Sequence, residues 1–160
     1  MSTHTISVLV ENRHGALSRI AGLFSSRGYN ISSLTVAETE DASTSRMTIV
    51  VGGDESVLEQ VVKQLNRLVD VIKVIDFVSE AVIDRELILL RLDATKSNRH
   101  EIVSLANIFG GRVAAISPTS ITVELTGTSQ TISDFISMVK PYGIKELVRS
   151  GKVAMAQARK

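Results

Sequence analysis

One order of secondary-structure signals occurs twice along this chain, and this repeat constrains the fold more than any other feature. In the first half, the alternation of residues 5–10 predicts a strand. A stripe with helical spacing follows and ends before Gly28, and it is formed by Leu17, Ile20, Ala21 and Phe24. "NISSLTVAETE" and "SRMTIVV" predict a strand pair, Asp54 is placed to cap a second helix, and "VIKVIDFV", residues 71–78, predicts a fourth strand. The first half therefore has the order β-α-β-β-α-β.

The second half gives the same order. "ELILLRLDA" predicts a strand, and Asn98 followed by Glu101 is typical of a capping box at the start of a helix. "GRVAAIS" and "SITVELTG" predict a strand pair, a further helix is stopped by Pro141 and Gly143, and "IKELV" predicts the last strand.

Two consecutive β-α-β-β-α-β units predict an α+β protein made of two tandem ferredoxin-like sandwiches. We expect one domain at residues 1–79 and a second at residues 80–160. Each is of a size at which a lone core is only marginally stable, and each leaves a sheet edge open. We therefore expect a dimer at least.

Composition excludes several classes of protein. Eighteen basic and seventeen acidic residues leave a net charge of +1, which provides no strong field for nucleic acid or an anionic membrane. The chain has no cysteine, so it has no disulfide and no thiolate metal site. Its start does not resemble a secretion signal and no apolar run is long enough for a membrane span. We expect a soluble, cytoplasmic protein.

Catalytic and metal-binding patterns are not found. The three histidines lie far apart, and neither a nucleophile elbow nor a phosphate-binding glycine loop is present. Glu38, Glu40 and Asp41 form an acidic cluster in the first hairpin turn, where solvated charges are ordinary, and a weak contact to a divalent cation there stays open. We predict no catalytic residue and no metal site.

Some ferredoxin-like sheets bind RNA by stacking bases on strand aromatics. In this sequence three phenylalanines fall on predicted helices and Phe77 is the only clear strand aromatic. The basic end "RSGKVAMAQARK" is more typical of a solvated tail or a partner contact than of a nucleic-acid arm. We therefore expect no nucleic-acid partner.

The segment from residue 10 to residue 34 offers the best binding site. A helix N-terminus has unpaired N–H groups that favour a carboxylate, and Gly15 would allow a ligand close to the backbone. Asn12 and Asn30, at the ends of two strands, carry amides that could hold an ammonium or a carboxylate, and Leu17 and Ile31 could supply an apolar wall. The alternative is that the asparagines and the glycine only form turns.

The stretches "LVENRHGALSRIAGLFSSRGYNISSLTVAETED", "SRMTIVV" and "LVDVIKV" resemble the regulatory, or small, subunits of acetolactate synthase (acetohydroxyacid synthase). The resemblance continues through "DRELILLRLDA", "FGGRVAAISPTSITVELTGTSQTISDF" and "LVRSGKVAM". It implies an N-terminal ACT domain, a C-terminal ACT-like domain and no active site in this chain. Thiamine diphosphate, FAD and magnesium would belong to the catalytic (large) subunit, which this chain would activate and make sensitive to valine.

The resemblance also implies where the effector binds. ACT domains of the family pair side by side as a homodimer, with the effector at their interface. One chain would contribute Asn12 and the backbone of Gly15, Ala16 and Leu17, with His14 as a further contact. The other chain would contribute Asn30 and Ile31.

Two other classes of function are alternatives. A stand-alone amino-acid sensor that controls transcription would use the same fold, but the low net charge and the missing recognition-helix motif disfavour it. A small enzyme would need an acid/base constellation, which is not found. The sequence does not decide between valine, leucine and isoleucine, because one methylene changes affinity by only about 1–3 kcal/mol.

Overall fold

The computed structural model describes residues 2–157. In chain order, its first six elements are β1 (Thr3–Glu11), α1 (Ala16–Arg27), β2 (Asn30–Glu38), β3 (Thr44–Gly52), α2 (Glu55–Asn66) and β4 (Val71–Ile75). The remaining elements are β5 (Val82–Asp93), α3 (Arg99–Ile108), β6 (Arg112–Ile116), β7 (Ser120–Gly127), α4 (Ser129–Val139), a 3-10 turn (Lys140–Tyr142), β8 (Ile144–Arg149) and β9 (Val153–Ala156). The predicted repeat of β-α-β-β-α-β is confirmed.

The first sheet is antiparallel with the strand order β2-β3-β1-β4. Alternate residues of β1 face the two helices, so that Ile6, Val8 and Val10 are fully buried with Ile20 and Phe24 of α1. The alternation of strand side chains and the 3.6-residue helical period together produce this single core. β2 and β4 are the outer strands of this sheet.

The second sheet repeats this arrangement with the order β6-β7-β5-β8. Its core is built in the same way from one face of β5 and β7 and one stripe of each helix. The edge-to-face contact of Phe109 with Phe135, with ring centroids 5.4 Å apart, joins α4 to the end of α3. Both units are therefore ferredoxin-like α+β sandwiches.

The predicted helix cap is confirmed at the start of α2 but not at the start of α3. Asp54 caps α2, since its carboxylate accepts a hydrogen bond from the Val57 N–H at 3.0 Å. Asn98 precedes α3, but its Oδ1 accepts from the Thr95 N–H at 2.7 Å instead of capping the helix. Glu101 accepts from the Tyr142 hydroxyl at 2.7 Å, which raises the pKa of Tyr142. The predicted capping box is wrong because both side chains have other partners.

The fourth strand is shorter than predicted. β4 ends at Ile75, and Phe77 lies in the connection that follows with φ at 55°. Phe77 is therefore not a strand aromatic. This left-handed backbone position interrupts the extended conformation that the apolar run "VIKVIDFV" suggested.

The basic C-terminal segment is not a solvated tail over its described length. β9 pairs with β5, the Gln157 N–H donates to the Ala81 carbonyl at 2.8 Å, and Ala154 is buried. The described residues group into one compact unit at 2–83 and 152–157 and another at 84–151. The predicted boundary after residue 79 falls in the connection between β4 and β5, and β9 adds residues 152–157 to the first unit.

Within residues 2–157, the helices are too short or too polar to cross a membrane.

Candidate functional site

The predicted effector loop lies between β1 and the start of α1, and it leaves backbone donors free. The Ala16 N–H donates to the Arg13 carbonyl at 3.2 Å. The next two N–H groups, of Leu17 and Ser18, receive no acceptor from the described part of the chain, and no side chain caps α1. α1 also has no acidic residue in its first turn. The helix start therefore offers two N–H donors and the positive end of the helix dipole, which together favour an anion.

The backbone at Gly15 favours a glycine, and the Arg19 side chain lies next to it. Gly15 precedes α1 with φ at 84°, a left-handed conformation that residues with a Cβ rarely adopt. A Cβ at this position would also lie 2.9 Å from Nη1 of Arg19. The missing side chain therefore gives room to the Arg19 guanidinium as well as to the backbone turn.

Asn12 is held by the first hairpin. Its Nδ2 donates to Glu38 Oε1 at 3.1 Å and to the Ala42 carbonyl at 3.0 Å. Because both partners are acceptors, the amide nitrogen must face them and Oδ1 must face the other way. Of the two ligand groups considered from the sequence, Asn12 is thus suited to accept from an ammonium.

The other predicted residues of the loop differ in exposure. His14 is exposed, and its carbonyl accepts from Arg19 Nη2 at 3.4 Å. Ala16 is buried, so its side chain is not available to a ligand. Leu17 is 43% exposed and can serve as an apolar wall.

The acidic hairpin has protein partners for two of its three carboxylates. Glu38 accepts from Asn12, and Asp41 accepts from both the backbone N–H and the hydroxyl of Ser43 at 2.9 and 2.7 Å. These hydrogen bonds lower the pKa of Asp41 and close the turn. No group of three or more potential metal ligands occurs within residues 2–157.

Asn30 and Ile31 lie at the other end of the sheet. Asn30 pairs with Gly52, which pairs in turn with Thr3 at the start of β1, whereas Asn12 follows the end of β1. β1 has nine residues, so its ends are roughly 26 Å apart at about 3.3 Å per residue. One chain therefore does not bring Asn12 and Asn30 to the same small ligand.

Sequence reasoning missed an ion pair behind the loop. Arg19 Nε donates to Asp70 Oδ2 at 2.5 Å, and the Asp70 carboxylate is almost completely buried. The two residues are 51 positions apart, so no local pattern pairs them. One signal was present in the sequence: Arg19 lies in the first turn of α1, where the helix dipole disfavours a positive charge, so an acidic partner could be expected.

The fold and the loop define a class of protein. A sequence-family model described as "AHAS small subunit-like ACT domain" matches residues 6–73, which contain the whole first sandwich except the start of β1 and the end of β4. The first unit is thus an ACT domain. A second model, described as "Small subunit of acetolactate synthase", matches residues 85–158.

The chain belongs to the acetolactate synthase small subunit family. It is 53% identical over 157 residues to the probable acetolactate synthase small subunit of Archaeoglobus fulgidus, covering 98% of each chain. It is 43% identical to the acetolactate synthase small subunit of Mycolicibacterium smegmatis, covering 97% of this chain and 91% of the relative. The crystal structure of the Thermotoga maritima small subunit superimposes with a TM-score of 0.89 at 35% identity, covering 100% of both chains.

Proposed function

We propose that this chain is the regulatory subunit of an acetolactate synthase and acts in branched-chain amino acid biosynthesis. It binds the catalytic subunit, raises its activity and confers inhibition by valine. Thiamine diphosphate, FAD and magnesium belong to that catalytic partner, and we expect the complex in the cytoplasm. The observation that carries the proposal is the free N-terminal turn of α1 beside Asn12, in a chain of the acetolactate synthase small subunit family.

The loop matches the two charged groups of a free amino acid. The N–H groups of Leu17 and Ser18 suit the carboxylate, and the Oδ1 of Asn12 suits the ammonium. Leu17 offers apolar contact for a branched side chain. This arrangement supplies half of a site.

We propose that a second copy of the chain supplies the other half. Among residues 2–157, β2 pairs with a strand on one side only, so its other edge can pair with β2 of another copy. Antiparallel pairing across a twofold axis at the middle of β2 places residue 30 of one copy opposite residue 38 of the other. Asn12 donates to Glu38, so Asn30 and Ile31 of the second copy would then reach the effector loop.

Reconstitution tests this function. The chain is mixed with an acetolactate synthase catalytic subunit, and acetolactate formation is measured against subunit ratio and then against valine, leucine and isoleucine. We expect activation that saturates with the regulatory chain, followed by inhibition at rising valine. Acetolactate formation that is unaffected by this chain, with or without valine, contradicts the proposal.

A further inference from the structure

A buried carboxylate lies behind the effector loop and touches it through one arginine. Asp70 is at the end of the connection from α2 to β4, and its side chain is 3% exposed. Arg19 Nε donates to its Oδ2 at 2.5 Å, while the Glu11 N–H donates to its backbone carbonyl at 2.8 Å. Asp70 thus anchors both the end of β1 and the first turn of α1.

Arg19 connects Asp70 to the effector loop. Its guanidinium reaches back along α1, so that Nη2 donates to the His14 carbonyl at 3.4 Å. Its Nη1 fills the space where a side chain at residue 15 would lie, 2.9 Å from the Cβ position. The planar fork therefore contacts two consecutive loop residues while its Nε is fixed by Asp70.

Arg19 and Asp70 are each unfavourable at their positions alone, and they stabilise each other as an ion pair. A buried carboxylate without a partner is costly, and a cation in the first turn opposes the helix dipole. The pairing with Arg19, with a smaller contribution from Arg13, lowers the pKa of Asp70 and keeps it ionised at neutral pH. Asp70 in turn offsets the positive charge of Arg19 next to the free N–H groups.

We propose that Asp70 and Arg19 are positioning residues that hold the backbone of His14 and Gly15 in the conformation that binds the effector. This inference rests on the proposed amino-acid site, to which it adds a supporting layer. Neither side chain needs to touch the effector. Their role is to place the turn at Gly15, and with it the first N–H groups of α1.

The test compares two ion pairs of the same chemistry, each with a buried carboxylate and a half-exposed arginine. In the second unit, Arg149 Nε donates to Glu86 Oε1 at 2.5 Å, and the Glu86 side chain is 7% exposed. Asp70→Asn and Glu86→Gln remove one buried charge each. Valine affinity is measured by calorimetry, the unfolding midpoint by circular dichroism, and the Gly15 amide resonance by NMR in the unliganded protein.

We expect Asp70→Asn to weaken valine binding by about 10- to 100-fold, the range measured for residues that orient metal ligands from outside, and to shift the Gly15 resonance. Glu86→Gln should lower the unfolding midpoint but leave valine affinity and the Gly15 resonance unchanged. Arg19→Lys keeps the charge but not the fork, so it should behave like Asp70→Asn and also serves if that variant does not fold.

Valine affinity within about twofold of wild type in both Asp70→Asn and Arg19→Lys overturns the inference. An equal loss of valine affinity in Glu86→Gln also overturns it, because the loss would then result from lower stability and not from a displaced loop. If the wild-type protein binds no valine, leucine or isoleucine, the proposed function fails instead. In that case, a Gly15 resonance that shifts in Asp70→Asn but not in Glu86→Gln still supports the positioning role, and an unshifted one overturns it.

Discussion

Asn12 and Asn30 lie at opposite ends of one antiparallel sheet, roughly 26 Å apart along the nine residues of β1. Their separation is fixed by the register, since Asn30 is level with Thr3 and Asn12 follows Glu11. A free amino acid is much smaller than this distance. If both asparagines bind one effector molecule, they must come from different copies of the chain.

This geometry predicts complementation between two defective variants. In a mixture of Asn12→Ala and Asn30→Ala chains, each hybrid dimer has one site with both defects and one with neither. Random exchange therefore restores about a quarter of all sites, because half of the dimers are hybrids. Valine titration of the reconstituted enzyme after mixing and exchange checks this. A mixture that stays as insensitive as its two components contradicts the shared site.

Asn12→Ala alone should weaken valine binding by about 1–3 kcal/mol, because it removes a hydrogen bond to a charged group. It also removes the tie from Nδ2 to the Ala42 carbonyl. Asn107→Ala is the matched control, since Asn107 is an exposed asparagine on α3 of the second unit. Calorimetry with valine should show the loss for Asn12 only. Unchanged valine inhibition in the Asn12 variant counts strongly against the proposed site.

Two glycines of the same region should respond in opposite directions. Gly15→Ala puts a Cβ on a left-handed backbone, so we expect a stability loss of about 1–2 kcal/mol. It also displaces the Arg19 guanidinium from the loop, so we expect weaker valine binding. Gly22 lies inside α1 with nothing within 4 Å of the place that a Cβ would take, so Gly22→Ala should stabilise by about 0.5–1 kcal/mol. Urea unfolding measures both. A destabilised Gly22→Ala variant would mean that something covers this face of α1.

Helices and strands whose apolar residues recur with a regular spacing could be predicted from the sequence. Ile6, Val8 and Val10 alternate, Ile20 and Phe24 recur with helical spacing, and each set is buried as expected. The loop around Gly15 was also predictable, because a glycine before a helical stripe marks a tight turn. These patterns are formed by residues that are close in sequence, so they can be recognised without knowledge of the tertiary structure.

Features that depend on distant partners were not predictable. Asp70 meets Arg19 only after the fold brings α1 beside the end of α2. Asn98 had the right residue type for a cap, but a competing bond to Thr95 took its side chain. β9 is only four residues long, and Ala154 alone is buried in it, so the strand has no readable alternation.

The Asp70 carboxylate should contribute to acid sensitivity. Its pKa is lowered in the folded protein, chiefly by Arg19, whereas an unfolded Asp has a pKa of about 3.9. The ionised Asp70 carboxylate therefore raises the free energy of unfolding above about pH 4. This stabilisation is lost as the pH falls through the lowered pKa of Asp70. We expect Asp70→Asn to be less stable than wild type at neutral pH, with the difference narrowing in acid.

Urea unfolding between about pH 3 and pH 7 checks this behaviour. A residual dependence on pH should persist in the Asp70→Asn variant, because hydrogen bonds from Ser43 and Ser56 also lower the pKa of Asp41 and Asp54. A constant difference between the two proteins across the whole range would show that Asp70 acts without titrating.

The C-terminal strand should stabilise the first unit. Ser7 and Thr48 face away from the helices yet are buried, β9 contacts β1, and the Thr35 hydroxyl donates to the Lys152 carbonyl at 3.3 Å. Ala154 is 8% exposed, whereas its neighbour Met155 is 64% exposed. A charge at residue 154 must therefore be buried, and one at residue 155 remains in water.

We expect Ala154→Glu to destabilise by about 2 kcal/mol or more, and Met155→Glu to stay within about 0.5 kcal/mol of wild type. Urea unfolding gives the free energies, and hydrogen exchange of the peptide that contains β1 locates the effect. Faster exchange in β1 for Ala154→Glu alone is the expected result, because lifting β9 uncovers that face of the first sheet. Equal effects of the two substitutions would mean that β9 does not protect β1.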